Sequence, residues 1–251
     1  EVTNNVYSVC ARYKFFRENM VLEQNKCNDG NDNHVIGGRF NSYLNYGIIR
    51  GEQWLCQKGQ DNMDPSSYPN GGDHFVKLCP LWQLLLYYRE IIGGDKRDWY
   101  GDVAEIVRTT DQTGMTNGQL QLAFMRNTMD VLKVDLTDFF IKAGMLKPID
   151  KELDDYARGW MTITKEECDE LVNYAAKYPK PETPVLYYLS ANCENAFKNK
   201  LSVEGVYNEG IQIRNEWVIV DHDVWKNVTV FETYQGDELK YACIVGTDYM
   251  L

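Results

Sequence analysis

Phe75-Val76-Lys77-Leu78-Cys79-Pro80-Leu81-Trp82-Gln83-Leu84-Leu85-Leu86-Tyr87-Tyr88-Arg89-Glu90-Ile91-Ile92-Gly93-Gly94 is the stretch that decides the fold. Leu78, Leu81, Leu85, Tyr88 and Ile92 recur at helical spacing, and the Gly93-Gly94 pair stops the pattern. Pro80 lies inside it, so the helix either begins there or is kinked there. The run is far too short to span a bilayer and reads as a buried helix, with Trp82 and Tyr88 on core faces.

Working outward, helices are expected over 98–108, 117–132 and, more briefly, 135–143, where Gly144 is placed as a C-cap. Upstream, Val2, Val6, Val9 and Tyr13 recur at spacings of four, three and four, which puts them on one face of a helix over residues 1–20. A helix is also expected over 41–56. The Gly- and Asn-rich segment 25–38 and the Pro- and Gly-containing segment 61–73 read as loops. The first 145 residues or so are thus read as nearly all helical.

After Pro148 the character changes. Thr164-Lys165-Glu166-Glu167 is a capping box that opens a helix to about Tyr178. Pro179, Pro181 and Pro184 then forbid helix. Runs rich in β-branched and aromatic residues follow at 185–189, 211–213, 217–220, 228–234 and 239–245, separated by turn signals. The expected fold class is α+β: a helical subdomain over 1–162, then a small β-sandwich-like module over 163–251.

With 44% hydrophobic and 25% charged residues among 251, the chain has the composition of an ordinary globular protein. Its net charge of -11, with no basic cluster, excludes nucleic acid as a partner, because a phosphate backbone would be repelled. The seven cysteines form no CxxC and no short paired spacing, so neither a zinc ribbon nor a redox dithiol is expected. The chain opens without an initiator Met, a basic n-region or an apolar h-region, and reads as a fragment or processed product.

No self-contained active site is written in the residues. GxSxG, P-loop, GxGxxG and HExxH patterns are all absent. The three histidines, His34, His74 and His222, lie far apart in the sequence. His34 falls in a polar loop and His222 in a strand-end turn. His74 is a candidate cleft residue, because Gly72-Asp73-His74-Phe75 leads directly into the central helix; the competing reading is a cap neighbourhood with Asp73 as the cap. Asn227-Val228-Thr229 matches a glycosylation sequon, a triplet common by chance.

Three stretches carry a family resemblance. Glu1-Val2-Thr3-Asn4-Asn5-Val6-Tyr7-Ser8 resembles the segment that follows the HExxH helix in enhancin-like, mucin-targeting zinc metallopeptidases. Phe75 to Leu84 resembles the family's central Pro-Leu-Trp-Gln-Leu helix. Trp225 to Tyr234 is similar to a strand motif of the β-module attached to many members.

The resemblance implies that Glu1 is the third zinc ligand of a gluzincin site in the intact parent protein. Asn4 and Asn5, one helical turn on, would support that ligand. In such a site zinc lowers the pKa of its water towards about 7, and a glutamate between the two histidines takes the proton. Both histidines and that glutamate are absent from these residues. This chain alone is therefore expected to bind no catalytic metal and to be inactive. It would contribute the lower half of a zincin fold, whose missing N-terminal half is its partner. The implied substrate is a mucin or another O-glycosylated protein, and the implied location is secreted or on a bacterial cell surface. A non-catalytic module that binds glycan or glycopeptide is the alternative.

Overall fold

A computed structural model describes residues 2–16, 22, 38–57, 75–155, 157–182, 185, 187–214, 217–244 and 249–250. The stretch around Trp82 forms one helical rod whose winding changes along its length. A 3-10 turn (Val76–Leu78) leads into α3 (Cys79–Leu85), which continues as a π-helical segment (Leu86–Ile92). Pro80 falls in the first turn of α3, where its missing N–H is not needed. Gly93 ends the rod at φ 65°, a left-handed conformation open to glycine. The rod is buried on all sides through α3, so even Lys77 and Gln83 are inside.

The other helices pack around it. α1 (Val2–Phe16) buries Val6, Val9 and Tyr13, the expected apolar stripe. Tyr13 meets the Trp82 ring edge-on at 5.2 Å and donates its hydroxyl hydrogen to Glu194. α4 (Trp99–Thr109) packs Trp99, Tyr100 and Val103 inward. α5 (Asn117–Leu132) and α7 (Lys165–Ala175) both start in reciprocal capping boxes. The Thr116 hydroxyl accepts the Gln119 backbone N–H at 3.2 Å, and the Thr116 backbone N–H donates to the Gln119 side chain at 3.0 Å. Thr164 and Glu167 do the same at 3.1 and 2.8 Å. α6 (Thr137–Lys142) closes on Gly144 at φ 73°, where a Cβ would stand 2.2 Å from the Glu52 carbonyl oxygen.

The single helix expected over 41–56 is instead two pieces. α2 (Gly38–Ser42) runs into a π-helical segment (Tyr43–Ile49), and the chain turns at Gly51, φ 66°. A short 3-10 turn (Trp54–Cys56) comes next, pinned by the Trp54 N–H to the Gly144 carbonyl at 2.8 Å and by the Trp54 indole N–H to the Lys77 carbonyl at 2.8 Å. Tertiary hydrogen bonds hold this turn where helix propensity alone would have run on.

The region 149–163, read from sequence as the end of the helical part, is an antiparallel hairpin of β1 (Ile149–Asp155) and β2 (Ala157–Ile163). Its alternation is interrupted by exposed Lys151 on the inward row, so the two-residue period is weak in sequence. The expected strand at 185–189 is not formed: residues 187–188 are a turn. Val185 and Leu189 are buried, and the Gln83 side-chain amide donates to the carbonyls of Tyr187 and Leu189. Their backbone is thus served by a side chain and needs no strand partner.

The remaining elements are α8 (Glu194–Lys198) and two small antiparallel sheets. β3 (Ile211–Arg214), β4 (Trp217–Val220) and β7 (Tyr249–Met250) lie in the order β3-β4-β7, and β5 (Val230–Gln235) pairs with β6 (Glu238–Ile244). The fold is α+β. One apolar core runs from Val6 through the rod to Ala242, so the β5–β6 pair is packed into the helical half. The joint is Asn45. Its side-chain amide donates to the Ala242 carbonyl at 2.8 Å and accepts the Ala242 N–H at 3.0 Å, while also donating to the Asn41 carbonyl at 2.7 Å.

Replacing Asn45 by Ala leaves both buried backbone groups of Ala242 unpaired and should cost about 2–4 kcal/mol. Urea denaturation should show it as a lower midpoint with unchanged slope. Gly118 is a second constraint: a Cβ there would lie 1.7 Å from the Thr162 carbonyl oxygen. Gly118→Ala should push the hairpin off α5 and cost about 1–3 kcal/mol, read as a drop in melting temperature.

Candidate aromatic cleft and the expected metal ligands

The residues singled out for chemistry fall unevenly. Glu1 and His74 lie outside the described residues, as does His34. Asn4 belongs to the first turns of α1, with its side chain outside the described set, and Asn5 is half-buried on the same helix. His222 sits where the sequence placed it, exposed in the turn after β4, where the Asp221 side chain accepts the Asp223 N–H at 2.9 Å. The sequon residue Asn227 has its side-chain amide tied to the Ser202 carbonyl at 2.9 Å.

A cleft of about 370 Å³ lies between α1, α4 and α5. α1 contributes Tyr7, α4 contributes Tyr100, Val103 and Val107, and α5 contributes Leu120, Gln121 and Phe124. Trp54 and Leu81 form its floor. Tyr7 and Tyr100 meet edge-on at 5.3 Å, and Tyr100 in turn meets Trp99 at 5.4 Å and Phe124 at 6.4 Å. Each wall is set by local structure. The N-terminal capping box of α5 fixes where Leu120 and Gln121 project, and the buried Trp99 anchors the start of α4. The sequence showed the high aromatic content but not this convergence, since its four aromatic members come from positions 7, 54, 100 and 124.

Among the described residues, the cleft's lining holds tyrosines, a tryptophan, a phenylalanine, aliphatic residues and glutamines, and no carboxylate, imidazole or amine. Burial pushes the Tyr100 phenol well above its ordinary value, and Tyr7 and Cys10 add to the shift. The phenol therefore stays neutral and able to donate. The nearby Cys10 thiol is pushed up to about 11, mainly by burial and against the pull of Arg89, so it is not a thiolate nucleophile near neutral pH. Gln121 spends one side-chain donor on the Met145 carbonyl at 2.8 Å, which fixes its orientation in the wall.

Among the described residues, no group of three or more His, Cys, Asp or Glu side chains could hold a metal ion. The described donors alone do not fit a catalytic metal, which needs three protein ligands and an open position. Among the same residues, no helix is long and apolar enough to cross a membrane.

Comparison with known proteins places the fold. Two solved metallopeptidases, one in complex with Tn antigen and one from Bacteroides thetaiotaomicron, each align with 99% of this chain at 17% identity and a TM-score of 0.60. The chain spans 45% and 41% of their respective lengths. The M60 catalytic domain with its CBM51-1 and CBM51-2 domains from Clostridium perfringens ZmpB aligns over 99% of the chain and 21% of its own, at 17% identity and a TM-score of 0.50. No curated protein matches the chain. At these identities the likeness shows the fold. The family profile of peptidase M60, enhancin and enhancin-like proteins matches residues 1–144, the helical part from α1 through α6 that also walls the cleft. That match covers more than half of the chain and includes two of the three stretches that carried the resemblance: residues 1–144 make this chain a member of the peptidase M60, enhancin and enhancin-like family.

Proposed function

We propose that the intact protein is a zinc-dependent endopeptidase that cleaves heavily O-glycosylated proteins such as mucins, exported by or held on the surface of a host-associated bacterium. The observation that carries this reading is the family match over the helical half. Members are metallopeptidases, so the intact protein uses a metal. The fold likeness to a metallopeptidase solved in complex with Tn antigen supports a glycosylated substrate.

In this reading Glu1 supplies one carboxylate to zinc, Asn4 and Asn5 steady it by hydrogen bonds, and His74 stands at the cleft. The two histidines and the general base come from the N-terminal half of the peptidase domain. Residues 1–251 by themselves are inactive. Residues 1–162 act as the helical subdomain and 163–251 as a β-rich module; the Asn45–Ala242 bonds favour their folding together. A second reading, a non-catalytic module for glycan or glycopeptide, is favoured by the aromatic cleft, whose described lining carries no carboxylate, imidazole or amine.

The test joins these residues to their upstream segment and measures mucin cleavage with and without a chelator. Cleavage should vanish with the chelator and return with zinc. Glu1→Gln should lower it by more than about a hundredfold, beyond what losing an outer partner of a metal ligand costs. Chelator-insensitive cleavage, or full activity in Glu1→Gln, would overturn the reading. Glycopeptide binding without any cleavage would favour the second.

A further inference from the structure

The β1–β2 hairpin has two faces set by its register. Ile163 opposes Ile149, and Met161 opposes Lys151; Met161 and Ile163 are buried against the core. On the other face Asp150 opposes Thr162, and Glu152 opposes Trp160. That outward row leaves Trp160 59% exposed, although a residue of this size is usually buried or half-buried.

The exposed ring is held in place. Its Nε1–H donates to Asp150 Oδ1 at 2.7 Å, and the same oxygen accepts the Thr162 hydroxyl hydrogen at 3.0 Å. The Trp160 carbonyl accepts the Asn117 side-chain amide at 3.0 Å, which ties the strand to the first turn of α5. These bonds restrict the conformational freedom that binding would otherwise remove. Beside the ring, Glu152 pairs with Arg158 at 3.7 Å, with both side chains largely in solvent.

A flat apolar ring fixed among carboxylate acceptors and a guanidinium donor matches a sugar ring. A sugar's C–H face would lie on the indole, and its hydroxyls would meet Glu152 and Arg158. A flat apolar protein surface would instead strip water from those charges without pairing them. Nucleic acid would meet the Asp150 and Glu152 carboxylates. The location is also suitable: Asn117 and Gly118 hold the hairpin, while Leu120, Gln121 and Phe124 of the same helix wall the aromatic cleft.

We propose that the outward face of the β1–β2 hairpin, centred on Trp160, is a saccharide-binding subsite that holds sugar rings of a glycosylated polypeptide beside the aromatic cleft. The proposal rests on the glycosylated-substrate reading above. It is tested on the 251-residue chain by titration with a threonine-containing peptide bearing N-acetylgalactosamine, and with the same peptide unglycosylated.

Binding of the glycopeptide should shift the Trp160 indole N–H resonance in a nitrogen–proton correlation spectrum. Trp160→Ala should weaken binding by about tenfold, the size of one good aromatic contact. Asp150→Asn, which keeps the strand but loosens the ring, should weaken it less. Unchanged affinity in both variants overturns the subsite and leaves the peptidase reading intact, since that reading is scored by mucin cleavage in the intact protein. Equal binding of the unglycosylated peptide overturns it in favour of a polypeptide surface. Absence of any glycopeptide binding by the wild-type chain overturns it as well, again without touching the cleavage assay.

Discussion

The side-chain amide of Asn45 both donates to and accepts from the backbone of Ala242, doing inside a helical core what a neighbouring strand would do. The same device recurs. Gln57 donates to the carbonyls of Glu52 and Ala143, and Gln83 to those of Tyr187 and Leu189. Each amide sits where an irregular or π-wound segment meets another part of the chain. Buried backbone groups without partners cost too much to be left so. This fold therefore depends on a few buried amides: Asn45 and Gln83 join its helical half to the C-terminal residues, and Gln57 closes the helical half on itself.

That constraint also shapes the cleft. The Gln57 amide and the Gly144 turn set the 3-10 segment carrying Trp54 against the end of α6. α4 and α5 are held by their buried faces and caps, leaving Tyr7, Tyr100 and Phe124 around a space that none of them fills. The result is an aromatic recess in which burial keeps the Tyr100 phenol neutral, shaped to hold a ligand. The reacting groups of a family metallopeptidase need other residues, and the proposed function assigns them to Glu1 and to the upstream half. The hairpin adds a second, outward-facing aromatic surface at the same end of α5.

Helix ends and apolar stripes were legible in the residues because their signals act within one or two turns. The Thr164–Glu167 box, the Gly93 and Gly144 stops, and the Val6–Val9–Tyr13 stripe each connect residues at most four apart. The same holds for the Asx turn around His222. By contrast, the β1–β2 hairpin was missed because exposed Lys151 interrupts its inward alternation, while the decisive contact is Gly118 against Thr162 in a different element. The strand expected near Val185 failed for a related reason: its carbonyls found Gln83, more than a hundred residues away. Of the residues named for chemistry, Asn5, His222 and the sequon Asn227 have described side chains, and the aromatic cleft was not legible at all.

The sequence by itself thus determined the α+β class, the positions of α5 and α7, the cap of α7, the buried central rod and the family resemblance. Those properties come from local periodicity, capping chemistry and short ordered motifs. Only the tertiary structure decided which carbonyls the buried amides would serve, that residues 149–163 pair as strands, and that aromatics from four distant positions enclose one cleft. Such outcomes depend on long-range packing, where the satisfaction of a buried polar group or the fit of a glycine against a carbonyl outweighs the weaker preferences written locally in the chain.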